Sequence, residues 1–432
     1  MNAGRAPGRS SAPGPAPATP GTAATAATAV ATQTRADLLA TSLMLMFVMS
    51  AITLSLMPVV TNQLRTEIGL GDAQIGLLTS VFMGFYGASG ILSGIAAARW
   101  GGRLFAVSSA CFVVGSLAFA LSSSFPGFLL GRAVQGIGGG MVVATCNPVL
   151  ARSVPAEKLG RAWGITGIGF GLGSMVALFA LPPIQSAGGY RAACLTTAGL
   201  GLAIGVAVLC QRPVRALPRP GDMATSMRGL AGAFVAVVRN RRVLILGLCN
   251  TAGLAMGVAA VAWSPSFLQD IYGTPEATSM YLIAALGAAQ MIGNPLGIFV
   301  AARWGLFRTL VFGVIATTVT TVLIGVLPGV APIVAVIILA QAFNMFYFPV
   351  MLSYIPKVVG NPGHVGPATG MNSLLGFAGS LFAPWLFGLI LDAGRQSAGA
   401  YTAGFVMLGA FGVVTLISLA FFKPGRQAVA DR

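Results

Sequence analysis

The chain has 432 residues, 56% of them hydrophobic and only 8% charged, with a formal net charge of +16. A soluble domain carries roughly 25% charged residues, so a water-solvated globular fold is excluded. The apolar runs are continuous, which excludes a β-barrel, whose strands alternate lipid-facing and lumen-facing residues. Helices then remain as the way to satisfy every backbone polar group within lipid.

Residues 1–36 are rich in Ala, Pro, Thr and Gly and lack the apolar stretch of a signal peptide. They read as a disordered cytoplasmic tail. Beyond them, apolar runs of the roughly 20 residues needed to cross a bilayer fall at 38–60, 73–97, 104–123, 126–149, 160–184 and 191–210. A second series falls at 243–268, 276–300, 308–328, 331–353, 367–392 and 398–422. The expected fold is an all-α membrane protein of 12 transmembrane helices in two six-helix bundles. Residues 37–210 make the N-terminal bundle and 243–423 the C-terminal one. Residues 211–242, with Pro213, Pro218, Pro220 and many arginines, form a cytoplasmic linker with an amphipathic surface helix near Met227–Val238. Residues 424–432 form a short cytoplasmic tail.

The charges orient this arrangement. One set of connectors holds Arg35, Arg99, Arg103, Arg152, Lys158, Arg161, Arg303, Arg308, Lys357, Lys423, Arg426 and the arginine run from Arg212 to Arg242. The opposite set holds only Arg65, Arg191 and Arg395. That asymmetry is the positive-inside signal. It predicts a multi-pass protein of the bacterial inner membrane with both termini cytoplasmic. The basic residues are topological anchors spread over many loops, which removes nucleic acid as a partner. Cys111, Cys146, Cys194, Cys210 and Cys249 lie in or at the ends of apolar runs without CxxC spacing. They read as buried small hydrophobes, with no metal site or disulfide framework.

Two further features shape the functional reading. The segment Ala97-Ala98-Arg99-Trp100-Gly101 recurs as Ala301-Ala302-Arg303-Trp304-Gly305, each copy following the second helix of its half. Six crossings return the chain to the same side, so the halves share one orientation and are related by an axis along the membrane normal. Gly90 and Gly94, Gly167 to Gly173, and Gly293 and Gly297 form small-residue faces suited to close, sliding helix contacts.

This architecture, together with Gly94-Ile-Ala-Ala97-Ala98-Arg99-Trp100-Gly101-Gly102-Arg103 and Arg132-Ala-Val-Gln135-Gly136, resembles the major facilitator superfamily of secondary transporters. The resemblance covers about residues 38–422. It implies alternating access around one central path lined by the first, fourth, seventh and tenth helices. It also implies a conformational gate at Gly94, Arg99, Gly101 and Arg103, with Arg303 in the second copy. The family's aspartate in this gate is Ala98 here, so its usual latch between the halves is incomplete. The glycine faces would lie where helices two and eleven, and five and eight, meet. The fifth-helix run Gly169-Phe-Gly171-Leu-Gly173 lacks the Gly-Pro pair of the family's drug/proton antiporters.

The candidate ligands follow from polar residues inside apolar runs. None of the nine acids lies mid-span, so a carboxylate that loads and releases a proton within the membrane is hard to build. His364, the single histidine, falls in a connector. Arg132 is the one charge well inside a span, where a central arginine costs about 2.5–3.5 kcal/mol on insertion scales. It either braces backbone carbonyls and Gln135 or supplies positive potential to an anionic substrate. Asn250, Gln341, Asn344 and Tyr347 join Arg132 and Gln135 as substrate-binding candidates, with interhelical hydrogen bonding as the rival role. Trp263 and Trp385 read as cavity walls or interfacial anchors. The glycines at 136–140 follow no strand and precede no Gly-Lys-Ser/Thr, so they are no phosphate loop. With a single histidine, no nucleophile–base constellation assembles. The expectation is a carrier, not an enzyme, without metal or cofactor and working as a monomer. It moves a small polar or anionic solute through the lipid bilayer. The alternatives are an efflux carrier for apolar drugs, suggested by Met345, Phe346 and Phe348, and a transporter-like sensor that moves nothing.

Overall fold

The computed structural model describes residues 20–100, 103–154, 156–211, 237–359 and 362–422, and among them all regular structure is helical. The N-terminal half contains α1 (Pro20–Thr66), α2 (Asp72–Trp100), α3 (Arg103–Leu121), α4 (Phe125–Ser153) and α5 (Ala156–Cys210). The C-terminal half contains α6 (Arg241–Tyr272), α7 (Glu276–Trp304), α8 (Leu306–Ile324), α9 (Val330–Val359), α10 (Pro362–Ala393) and α11 (Ala398–Ala420). Nine of these helices are long and apolar enough to cross a membrane by length and composition. α5 is divided at Gly188 and Gly189, where the backbone leaves helical geometry and Gly189 takes φ +71°. Only glycine adopts that conformation without Cβ strain. The break falls in the gap between the fifth and sixth apolar runs, so each half supplies six helical segments.

One boundary differs from the sequence reading: α1 begins at Pro20, inside the stretch 1–36 read as a disordered tail. Ala-rich sequence has high intrinsic helix propensity, and residues 21–31 are mostly Ala and Thr. The linker helix expected at Met227–Val238 lies mainly outside the described residues, as do Gly101, the surroundings of Gly94 and the side chains of Arg99 and His364. α6 starts cleanly, because the Asn240 side chain accepts from the Arg242 N–H at 3.1 Å, and it ends at Gly273 in the left-handed region.

The packing separates two ends of the molecule. The end holding Arg65, Asp72, Asp270, Glu276 and Asp392 is called the acidic end, and the opposite one the basic end. At the acidic end one apolar core runs through both halves, from Leu56, Met57 and Leu64 of α1 to Met256, Trp263 and Phe267 of α6 and Phe387 of α10. Toward the basic end the described residues split into two cores. Leu39, Leu43, Phe105, Val142 and Leu150 cluster within the N-terminal half. Val243, Leu246, Leu310, Val350 and Met351 cluster within the C-terminal half. Among the described residues the shared apolar core therefore lies at the acidic end, and each core toward the basic end belongs to one half.

Close helix approach sets the seams between the halves. A Cβ on Gly171 of α5 would stand 2.5 Å from the Gly287 carbonyl of α7, and one on Gly287 would meet the Gly171 carbonyl in return. Gly76, Gly84 and Gly87 of α2 meet Pro384, Leu381 and Phe377 of α10 in antiparallel register. The other glycine faces serve a different purpose from the one expected. Gly169 and Gly173 lie against Met44 and Val48 of α1, and Gly293 and Gly297 against Ala342 and Phe346 of α9, all within one half. Gly90 approaches Gly140 of α4. Sequence spacing identifies a small face, but the partner that fills it is a tertiary matter.

Candidate functional site: the junction of the two halves

The halves meet at mid-depth in a small aromatic layer. Phe82, Met83 and Tyr86 of α2 pack with Val258 of α6, and Leu54, Val143 and Phe377 close around them. Tyr86 is the hinge of this layer. Its ring centre lies 5.8 Å from that of Phe82 in its own helix and 5.1 Å from that of Phe377 in α10. Gly139 of α4 has no side chain because a Cβ there would run into the Tyr86 ring. Ser50 of α1 lies 3.4 Å from the Tyr86 hydroxyl. Tyr86, Phe82 and Phe377 are not legible as seam residues in the sequence, since an aromatic within an apolar run has no periodic signal that distinguishes a seam from a lipid face.

Arg132 lies directly behind this layer. Its guanidinium is fully buried, 4.4 Å from the centre of the Phe82 ring. Nε donates to the Leu78 carbonyl at 3.3 Å, and Nη1 donates to the Thr53 carbonyl and to Gln135 Oε1, each at 2.9 Å. Gln135 in turn donates from Nε2 to Ser116 Oγ at 3.0 Å. One side chain of α4 thus ties α1 and α2, and Gln135 extends the network to α3. Among the described residues Nη2 has no hydrogen-bond partner. Buried polar groups are nearly always paired, so this donor is out of the ordinary. Among the described residues the ion pairs lie elsewhere, at Arg65, and leave the Arg132 charge uncompensated.

The candidates of the C-terminal half form a separate constellation. Gln341, Asn344 and Tyr347 lie three residues apart on α9, and each donates to an α6 carbonyl four residues from the next. The bonds run from Gln341 Nε2 to Gly257 at 2.9 Å, from Asn344 Nδ2 to Gly253 at 2.7 Å and from the Tyr347 hydroxyl to Cys249 at 3.2 Å. Gly253 has no side chain because Tyr347 fills the space beside it. Asn250, on the adjacent face of α6, donates to the Asn372 carbonyl of α10 at 2.9 Å. The Asn372 amide is itself buried, and neither Nδ2 nor Oδ1 finds a partner among the described residues. Among the described residues no hydrogen bond joins this group to Arg132 and Gln135.

Other candidates land in structural roles. Trp263 is neither a cavity wall nor an interfacial anchor. It is buried, stacks on Phe387 at 5.8 Å and donates from Nε1 to the Pro384 carbonyl at 3.1 Å. Phe346 packs on Phe312 and Phe343 in the C-terminal core. Arg103 and Arg303 are exposed, and the Arg303 guanidinium lies 4.4 Å from the centre of the Phe299 ring. Cys146, Cys194 and Cys249 are buried as expected, whereas Cys111 is half-buried and Cys210 exposed.

The chain is 24% identical over 378 residues to the cis,cis-muconate transport protein of Acinetobacter baylyi, covering 85% of this chain and 89% of that one. It is 24% identical over 380 residues to the hexuronate transporter of Bacillus subtilis, covering 84% and 88% respectively. Its fold matches the crystal structure of a bacterial homolog of the human lysosomal transporter Spinster with a TM-score of 0.71 and 18% identity, over 92% of this chain and 98% of that one. The family profile for the Major Facilitator Superfamily matches residues 39–289 and 251–432. The two-halved helical plan, the repeated loop segment and the aromatic junction between the halves accompany that match: this multi-pass membrane transporter belongs to the Major Facilitator Superfamily.

Proposed function

We propose that the chain carries a small organic anion across the bacterial inner membrane by alternating access, as a monomer with its basic end in the cytoplasm. The observation that carries this reading is Arg132: a fully buried guanidinium behind the layer where the halves meet, with neither a carboxylate nor a partner for Nη2 among the described residues. At about 8 Å and an effective dielectric of about 20, a guanidinium attracts a carboxylate by about 2 kcal/mol. Gln135 acts as a positioning residue, since its Oε1 holds Nη1 and its Nε2 is anchored on Ser116. Asn250, Gln341, Asn344 and Tyr347 brace the wall of the path in the C-terminal half through their bonds to backbone carbonyls. The charge asymmetry of the connectors supports the orientation. The relatives that carry muconate and hexuronates, each aligned over more than four-fifths of this chain, support the anionic class.

Uptake into proteoliposomes tests the reading, with dicarboxylates and hexuronates as the first solutes. Arg132→Gln removes the charge and is expected to lower uptake at least tenfold in protein that still elutes as a folded monomer. Arg132→Lys keeps the charge but cannot reach all three acceptors, and is expected to retain a third or more of the uptake. Equal loss in both variants would make Arg132 a brace alone. Undiminished uptake by the Gln variant would overturn its role as the positive centre.

A further inference from the structure

The acidic end carries a network that the sequence-derived gate does not include. Arg65, near the end of α1, donates from Nε and Nη2 to Asp72 Oδ1 at 3.0 and 2.7 Å, and from Nη1 to both oxygens of Asp270 at 3.1 and 3.0 Å. Asp72 belongs to the N-terminal half and Asp270 to the C-terminal half, so one guanidinium links the two. Tyr401 also donates its hydroxyl to Asp270 Oδ2. Asn62 of α1 donates to Glu276 Oε2 of α7 at 3.2 Å.

The other link is a helix cap that crosses between the halves. Asp392, at the end of α10, accepts from the backbone N–H groups of Asp72 and Ala73 at 2.8 and 2.9 Å. These are the first N–H groups of α2, which have no partner within their own helix, and a carboxylate there also meets the positive end of the helix dipole. Gln396 adds a bond from Nε2 to Asp72 Oδ2 at 2.8 Å. The approach is close: a Cβ on Gly388 would collide with the Asp72 carbonyl, and one on Gly71 would lie 3.3 Å from Asp392 Oδ2.

The internal repeat shows that the cap is one-sided. Asp72 and Glu276 each stand 25 residues before their copy of Ala-Ala-Arg-Trp-Gly, and so are repeat mates. Asp392 stands 91 residues after its copy, and the residue 91 after the other copy is Gly188. The seam between α2 and α10 therefore has an acid across from a helix start, whereas the seam between α5 and α7 has a glycine. That second seam relies on the Gly171–Gly287 contact and on the Phe179–Tyr281 ring stack at 5.5 Å.

We propose that Arg65, Asp72, Asp270 and Asp392 form a clamp that shuts the acidic end, and that release of the Asp392 cap from the start of α2 is the step that opens it. The clamp sits opposite the gate at Arg99 and Arg103, and it sets which end of the path is open at rest. It goes beyond the carrier reading, and its test uses no solute, so the two can fail separately.

Ser80 is the reporter. It is fully buried and lies one turn from both Gly76 and Gly84, on the face of α2 that packs against α10. Full-length protein with its five native cysteines replaced and Ser80→Cys introduced is placed in nanodiscs and treated with a charged maleimide. Asp392→Ala is expected to speed labelling about tenfold, the equivalent of about 1.4 kcal/mol in the opening equilibrium. Arg395→Ala, an exposed neighbour outside the clamp, is expected to leave the rate unchanged. An unchanged rate in folded Asp392→Ala protein would overturn the proposal. Should that variant fail to fold, Gly71→Cys with Asp392→Cys decides. The Gly71 Cβ would be 3.7 Å from Asp392 Cγ, and the oxidised pair is expected to label at Ser80→Cys about tenfold more slowly than the same protein reduced and desalted. Equal labelling rates in the oxidised and reduced pair would equally sink the clamp.

Discussion

The ladder between α9 and α6 offers a direct way to separate a brace from a ligand. Asn344 makes the shortest of its three bonds, 2.7 Å to the Gly253 carbonyl, in a space bounded by Gly253 and Gly257. Asn344→Leu keeps the approximate volume and removes the donor. Interhelical side-chain hydrogen bonds in membranes average about 0.6 kcal/mol and reach about 1.7 kcal/mol. A short, buried bond in a three-rung ladder belongs near the upper figure, so a loss of about 1.5 kcal/mol is expected. In a bundle the size of the C-terminal half, that corresponds to a fall of roughly 3–6 °C in Tm, at about 2–4 °C per kcal/mol. Thermal unfolding of the purified protein reads the fall, and solute uptake reads KM in parallel. As a brace, Asn344→Leu lowers Tm and changes KM less than twofold. A tenfold rise in KM, about 1.4 kcal/mol, with Tm unchanged would refute the ladder as the main role of this side chain and make Asn344 a solute ligand.

Two further outcomes follow from the packing. Gly171→Ala would bring its Cβ to 2.5 Å from the Gly287 carbonyl and 2.7 Å from Met291 Cγ. Overpacking of that kind costs about 1–3 kcal/mol, so transport is expected to fall at least fivefold while Gly167→Ala, with open space around it, stays at the parent rate; equal rates in the two variants would show that the crossing does not move. Trp263→Phe keeps an aromatic ring beside Phe387 but loses the Nε1 bond to Pro384. A stability loss of about 0.5–1.5 kcal/mol is expected, measurable by thermal unfolding, and no loss at all would mean that the bond is absent in solution.

Much of this protein can be read from its sequence because lipid imposes a one-dimensional rule. A segment must be apolar for about 20 residues to cross, so run lengths alone locate the helices. The repeated Ala-Ala-Arg-Trp-Gly segment then divides the chain into two like-oriented halves, and the sparse charges separate a basic from an acidic end. The burial of Arg132 follows similarly, since a guanidinium in an apolar run has to turn inward.

The use of each polar side chain was decided only in three dimensions. Gln341, Asn344 and Tyr347 share a helix face by their spacing, but that their donors meet successive α6 carbonyls depends on the crossing of α6 and α9. Gly169 and Gly171 look alike in sequence, yet one meets α1 and the other crosses to α7. Asp392 and Asp72 are 320 residues apart, and no local pattern links them. Hydrophobicity is a property of each residue and its near neighbours, so it survives in the linear chain. Hydrogen-bond partners and close contacts belong to pairs, and those pairs exist only after the two halves have folded against each other.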